Sequence, residues 1–121
     1  MLREIKNVRQ EQTTARRRWF ESESLDLVVW LDGAGQVIGF QICYDIGRAE
    51  HALTWRAGLG FSHHAIDSGD ATPFKNCTPI LKPDGRAPWA LITRLFDEAS
   101  ANLEPELRQL VRRGLVEGPG R

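Results

Sequence analysis

Apolar residues alternate with polar ones in two runs within residues 25–44, and these runs flank the tetrapeptide Asp-Gly-Ala-Gly at 32–35. Glycine and aspartate tolerate positive φ and so permit a tight reversal, which makes a β-hairpin the predicted structure. Because side chains in a strand point to alternate faces, one face of this hairpin is apolar. With a two- or four-residue loop, the predicted core face consists of three facing pairs, Leu25–Ile42, Leu27–Phe40 and Val29–Ile38.

The reverse face of the hairpin is predicted to be polar at one end and apolar near the turn. Val28, Trp30 and Val37 cluster at the turn end in this register. An apolar patch that contains a tryptophan is typical of a protein interface. These three residues are therefore candidate interface residues, and the long segment 67–87 is the competing cover for them.

Further strands are predicted on both sides of the hairpin. A four-residue turn at 45–48 leads into residues 49–56, which extend the core face. Residues 61–66 form the next strand, and their alternation leaves open which of its faces is buried. Residues 14–20 are a candidate edge strand, whose arginines would stay solvated. The expected pairs of the strand within 49–56 are His51–Ile42, Leu53–Phe40 and Trp55–Ile38.

A helical period follows the segment 67–87, which is rich in Pro, Gly, Asp and Thr and is predicted to be a long ordered loop. Pro88 suits the first position of a helix, and apolar residues then recur at spacings of three and four. Pro105 opens a second, shorter helix, which Gly114 is predicted to end. The apolar positions of the first helix are Trp89, Ile92, Leu95, Phe96, Ala99 and Leu103.

Together these elements predict an α+β fold, in which an antiparallel β-meander of four to five strands carries two C-terminal helices packed on one face. A chain of 121 residues fits a single domain. The expected organisation is an N-terminal segment 1–14, the meander 14–66, the loop 67–87, the two helices 88–116 and a tail 117–121.

Composition and charge narrow the class of protein. The chain is 41% hydrophobic and 26% charged with a formal net charge of zero, so it resembles an ordinary globular protein and offers no simple electrostatic case for binding nucleic acid or a membrane. It contains no apolar run of membrane-spanning length and begins without the apolar core of a signal peptide. Cys43 and Cys77 lack a CxxC motif and are expected to be reduced thiols in a cytoplasmic protein. Thirteen arginines against three lysines are typical of a GC-rich bacterial genome.

The three histidines supply the candidate chemistry. His63 and His64, with Asp67 and Asp70 nearby, are residue types that ligate zinc or iron, but adjacent residues of a strand point to opposite faces and are poorly placed to share one ion. His51 on the core face could act as a general base, although the sequence places no nucleophile or oxyanion donor with it. A rim histidine hydrogen-bonded to backbone is the simpler interpretation. No cofactor and no metal are predicted.

Three arginines, Arg16, Arg17 and Arg18, precede Trp19 and Phe20. Proteins that bind single-stranded nucleic acid combine positive charge and aromatic rings in this way. A solvated edge strand explains the same residues in a chain of zero net charge. Nucleic acid is therefore not the expected partner.

Two functions from different classes remain. The first is a non-enzymatic binding or interaction domain that self-associates as a homodimer, since closed two-fold assemblies are the commonest oligomers. The second is a small enzyme or metal-binding protein with a site around His51, His63, His64 and Asp67. The first is favoured because the second lacks a complete set of catalytic groups. The sequence identifies no small-molecule ligand.

Overall fold

The structure of the protein is a computed structural model that describes residues 1–5, 16–46, 50–66, 81–83 and 87–117. Most of the N-terminal segment 1–14, most of the long loop 67–87 and most of the tail 117–121 lie outside the described residues.

In the described part of the chain, strands in chain order form one antiparallel sheet. Neighbours along the chain are neighbours in the sheet, so the fold is a meander. With the two helices it confirms the predicted α+β class, although the sheet has more strands than the four or five expected. The strands are β1 (Arg3–Glu4), β2 (Arg16–Glu21), β3 (Leu25–Leu31), β4 (Val37–Tyr44), β5 (His51–Arg56), β6 (Gly60–Ile66) and β7 (Leu81–Pro83).

The register of the β3–β4 hairpin differs from the predicted one by two residues, with Leu27 opposite Ile42. The reason is the loop, in which the Asp32 side chain accepts hydrogen bonds from the backbone N–H groups of Ala34 and Gln36, each at 2.9 Å. A bulge follows, and Ile38 lies outside the paired register. The prediction that Ile38 belongs to the core is therefore wrong, and its side chain is exposed.

The β4–β5 pair is shifted by the same two residues, because the connection spans residues 45–50 rather than four residues. A shift of two leaves each paired side chain of these two strands on its predicted face, since the side-chain period of a strand is two. Leu27, Phe40 and Leu53 accordingly lie together on one buried face, as predicted. The observed pairs are Phe40–Trp55, Ile42–Leu53 and Tyr44–His51.

Two helices, α1 (Trp89–Ala99) and α2 (Pro105–Glu117), pack on this buried face. The α2 helix continues past Gly114, so the predicted stop at that glycine is wrong. A side chain at Gly114 would lie 3.4 Å from the rings of Phe40 and Phe61. The space beside this glycine therefore accepts a methyl group at an ordinary packing distance, but a larger side chain would displace the rings. The helix residues buried in this core are Ile92, Phe96, Ala99, Leu107, Val111 and Leu115.

At its C-terminal end the β2 strand is not an edge, because β1 pairs there with Phe20 and Glu21. Arg18 points to the helix side and is held by two carboxylates, Glu4 at 2.9 Å and Glu104 at 3.1 Å. The hydrogen bonds that the Arg18 guanidinium donates to these carboxylates raise its pKa above the usual range. The predicted solvated arginine is thus an ion-paired link between β1, β2 and the start of α2.

Candidate functional site

The sheet face away from the helices, called the open face below, carries no further element in the described part of the chain. The strand registers align its side chains in three rows that run across the strands. The basic row is Arg17, Trp30, Gly39, Arg56 and Gly60. The middle row is Trp19, Val28, Gln41, Thr54 and Ser62. The acidic row is Glu21, Asp26, Cys43, Ala52 and His64, with Glu50 just beyond it.

The basic row is built around a tryptophan lying over a glycine. The Arg56 guanidinium stacks on the Trp30 ring, with 5.3 Å between the guanidinium carbon and the ring centroid. A Cβ atom at Gly39 would lie 3.3 Å from the Trp30 ring and 2.9 Å from the Trp55 carbonyl oxygen. Only glycine leaves room for this arrangement.

The acidic row brings carboxyl groups together in a partly desolvated place. Burial raises the pKa of Asp26, the neighbouring Trp19 indole opposes this shift, and the charges of Glu21 and Glu50 add to it. Burial also raises the pKa of Glu50. A positive charge next to these carboxyl groups would therefore be favourable.

The polar groups between these rows satisfy one another. The Thr54 hydroxyl donates to the Gln41 side-chain oxygen at 3.2 Å, and the Gln41 amide donates to the Cys43 sulfur at 3.3 Å. Burial raises the pKa of the Cys43 thiol to about 12, so this cysteine stays protonated and is a poor nucleophile.

The predicted interface cluster is divided between the two faces. Val28 and Trp30 lie on the open face, Val28 buried and Trp30 half-buried. Val37 pairs with Leu31 and packs against the helix-side core, so its placement beside Trp30 was wrong. The two-residue register shift sets Gly39 opposite Trp30 in its place.

The run of three arginines is divided in the same way. Arg17 and Trp19 lie on the open face, whereas Arg18 and the buried Phe20 lie on the helix side. The positive charges and rings of this run therefore do not form one continuous stacking platform. Sequence reasoning missed that Arg17 and Arg56 share a row. The alternation along β2 could have predicted that Arg17, Trp19 and Glu21 share a face, but not that Arg56 lies in the row of Arg17.

A second cluster lies on the helix-side face at the end of β4. The rings of Tyr44, His51 and His63 stack nearly parallel, and 5.3 Å separates the two imidazole centroids. The Tyr44 hydroxyl and His63 Nε2 form a hydrogen bond of 2.6 Å. A phenol and an imidazole in this contact can exchange a proton, which is what a general acid or base requires.

The structure brings together only part of the predicted histidine site. His51 and His63 meet, and Tyr44 is the partner that sequence reasoning did not assign. His64 points to the open face, opposite Ala52. Asp67 lies outside the described residues. Among the described residues, no three His, Cys, Asp or Glu side chains come together as a metal site.

A groove of about 610 Å³ lies between the outer surfaces of the two helices. It is open to solvent along its length, and Asp97 at its side is already paired with Arg112 at 2.8 Å. Its lining includes Trp89, Thr93, Arg94, Asp97, Leu115 and Val116. None of the histidines is among the residues that line it.

Comparisons of the chain with protein-family models, with curated proteins and with solved structures found no match. Within the described residues, neither helix has the length and apolar character needed to cross a bilayer.

Proposed function

We propose that this protein is a non-enzymatic interaction domain that self-associates, with two copies meeting through their open faces. The observation that carries this proposal is a continuous patch of Trp19, Val28 and Trp30 on a sheet face that no other element covers in the described part of the chain. Half-buried tryptophans at the centre of a surface are typical of protein interfaces.

A homodimer is the simplest assembly of this kind. A two-fold contact uses the same surface on both copies, and sheets pack face to face about 10 Å apart. The sequence has two cysteines and no CxxC motif, which favours reduced thiols, so we infer a cytoplasmic location. The high ratio of arginine to lysine supports a bacterial source.

Light scattering on the wild type and on Trp30→Glu tests this interface. We expect the wild type to have twice the chain mass of 13.7 kDa and Trp30→Glu to have the chain mass. Leu59→Glu is the matched control, because Leu59 is 79% exposed in the β5–β6 turn, away from the rows. It should remain a dimer.

A monomeric wild type, or a dimer indifferent to Trp30→Glu, would contradict the proposal. Circular dichroism establishes whether each variant is folded. If Trp30→Glu does not fold, Ser62→Glu replaces it, since Ser62 is an exposed member of the middle row.

A second candidate function is a small enzyme that uses the Tyr44–His63 contact, with His51 stacked beside it. The 2.6 Å hydrogen bond favours this alternative. A ligand thermal-shift screen on the wild type and on Tyr44→Phe tests it, because a ligand of this site should stabilise the wild type alone. Elemental analysis is expected to find no stoichiometric zinc or iron, and one metal per chain lost on His63→Ala or His64→Ala would contradict that expectation.

A further inference from the structure

Residues 1–5, called the strap below, join the outer edge of β2 to the corner between the two helices. On the sheet side, the Ile5 N–H donates to the Trp19 carbonyl oxygen at 2.8 Å, and β1 pairs with the C-terminal end of β2. On the helix side, the Leu2 N–H donates to the Ala99 carbonyl oxygen at 2.7 Å. The strap is thus held by main-chain hydrogen bonds on both sides.

One side chain anchors the strap. Leu2 is buried in the core between the sheet and the helices, and the Asn102 side-chain amide donates to the Leu2 carbonyl oxygen at 2.7 Å. The flanking Met1 and Arg3 side chains are exposed. Main-chain hydrogen bonds combined with a pocket for one side chain are how an extended peptide binds to the edge of a sheet. The strap is therefore docked as a bound peptide would be.

Arg18 connects the strap to the helices through charge. Its guanidinium donates to both carboxylate oxygens of Glu4 at 2.9 Å, and to those of Glu104 at 3.1 and 3.2 Å. The Arg18 side chain is 27% exposed, and Glu104, which precedes α2, is 63% exposed. Ion pairs at such exposure are weakened by salt. This arginine is thus a salt-sensitive clasp between the strap and the start of α2.

The free energy of closing the strap is the small difference between opposing terms. Ordering a residue costs conformational entropy comparable to the net gain from one hydrogen bond. The five ordered residues therefore offset most of what one buried side chain, a few hydrogen bonds and an exposed ion pair contribute. By contrast, β3 and β4 pair along both edges and each bury several apolar residues. The strap is expected to open before these central strands separate.

We propose that residues 1–5 open and close as a unit while the rest of the fold stays intact, with Arg18 as the clasp that favours the closed state. Opening uncovers the edge of β2 at Phe20 and Glu21 and the Ala99 carbonyl oxygen, which hold an extended segment in the closed state. This opening does not depend on the proposed self-association, because its contacts lie at the outer edge of β2 and on the helix side.

Native-state hydrogen exchange followed by NMR measures the opening. The Leu2 and Ile5 amides report on the strap, and the paired amides of β3 and β4 report on the core. In the wild type, the two strap amides should share one protection factor, at least about 100-fold below that of the core amides. Low concentrations of urea should lower the protection of the core amides and leave that of the strap amides nearly unchanged, because opening of the strap exposes little surface.

Two variants test the anchor and the clasp. Leu2→Ala removes the buried side chain and should lower the protection factor of the Ile5 amide about 10- to 100-fold. Arg18→Met keeps the aliphatic stem, removes the charge and should lower the same factor about 3- to 10-fold. Raising the salt concentration from about 10 mM to about 500 mM should lower the protection of the strap in the wild type but not in Arg18→Met.

Arg113→Met is the matched control, because Arg113 forms an exposed ion pair with Glu117 on α2, away from the strap. It should leave the protection of both strap amides unchanged. Strap amides with the same protection and the same urea dependence as the core amides would overturn the independent opening. A Leu2→Ala chain that does not fold would also overturn it, since the strap would then be part of the cooperative core. Equal salt dependence in the wild type and in Arg18→Met would overturn the clasp.

Discussion

The two faces of the sheet are built by the same strands, because successive residues of a strand point to opposite sides. In β3, Leu25, Leu27 and Val29 are fully buried under the helices, whereas the alternate residues Asp26 and Trp30 remain half-buried on the open face. The covered face therefore consists of apolar contacts, whereas the open face combines half-buried charges and tryptophans with the buried side chains of Val28, Cys43 and Ala52.

The faces also differ in how they treat polar groups. The open face satisfies some of its polar side chains locally, through the hydrogen bonds from Thr54 to Gln41 and from Gln41 to Cys43. Among the described residues, Trp19 Nε1 and His64 Nδ1 on this face are buried without a hydrogen-bond partner, so the local satisfaction is incomplete. The comparison separates the apolar core, which lies on the covered face, from the surface that we propose for association.

The largest expected effect is a truncation on the covered face. Phe40 is 1% exposed and lies against the rings of Trp55 and Phe61. Phe40→Ala should lower the free energy of unfolding by about 3 to 5 kcal/mol, since it removes buried area and leaves a cavity. Urea denaturation at a low protein concentration measures this loss.

Thr54→Val on the open face is the companion variant, because it removes a hydrogen bond and keeps the shape of the side chain. This variant should lower the free energy of unfolding by about 1 kcal/mol. The expected difference between the two faces would be contradicted if Thr54→Val lowered the free energy of unfolding as much as Phe40→Ala does.

A smaller loss is expected where the open face approaches the backbone most closely. A Cβ atom at Gly39 would lie 2.9 Å from the Trp55 carbonyl oxygen, and a backbone atom cannot easily move away. Gly39→Ala should therefore lower the free energy of unfolding by about 1 to 3 kcal/mol. Gly33→Ala is the matched control, because a Cβ atom there meets nothing within 4 Å. Equal unfolding curves for the two variants would show that Trp30 does not depend on this glycine.

The sequence predicts which side chains of each central strand lie on the buried face, but it does not predict which residues of neighbouring strands pair. Leu27, Phe40 and Leu53 alternate with polar residues, and a period of two survives any shift by two. Loop length was the missing quantity, since the Asp32 side chain closes a loop longer than the glycines alone suggest. The bulge near Ile38 then moved that residue out of the core.

Contacts between distant strands depend on that same register. Tyr44 and His63 are separated by β5, so their hydrogen bond could be foreseen only from the correct pairing of both intervening ladders. Val37 was assigned to the wrong face because the extra residue at Ile38 reverses the alternation of side chains there. The rows of the open face likewise combine residues from strands whose alignment no local pattern specifies.

The comparison of the faces also predicts a pH dependence. Asp26 on the open face keeps its proton to a higher pH in the folded chain than in the unfolded one, because burial raises its pKa. The folded state therefore holds more protons in this range, and the free energy of unfolding should fall as pH rises from the usual Asp range through the raised pKa. Asp26→Asn should flatten this dependence and stabilise the single chain at neutral pH.

Denaturation of wild type and Asp26→Asn between about pH 4 and pH 7 measures this slope. The protein concentration should be below the dissociation constant, so that only the single chain contributes. Glu50→Gln should flatten the slope in the same direction, because the pKa of Glu50 is also raised. A steeper slope for Asp26→Asn would mean that the folded chain favours the Asp26 charge.

The smallest effect is expected where the covered face meets α2. Gly114 lies inside this helix, where alanine is more favourable than glycine by about 1 kcal/mol. A Cβ atom there would contact the Phe40 and Phe61 rings at 3.4 Å, an ordinary packing distance that the ring ends can accommodate. Gly114→Ala should therefore leave the free energy of unfolding unchanged or raise it by up to about 1 kcal/mol. Gly114→Leu should lower it by about 1 to 3 kcal/mol, because a larger side chain must displace both rings. A clear fall in the free energy of unfolding for Gly114→Ala would mean that the Phe40 and Phe61 rings cannot move to accept a methyl group. The covered face would then be packed more rigidly than the contact distances imply.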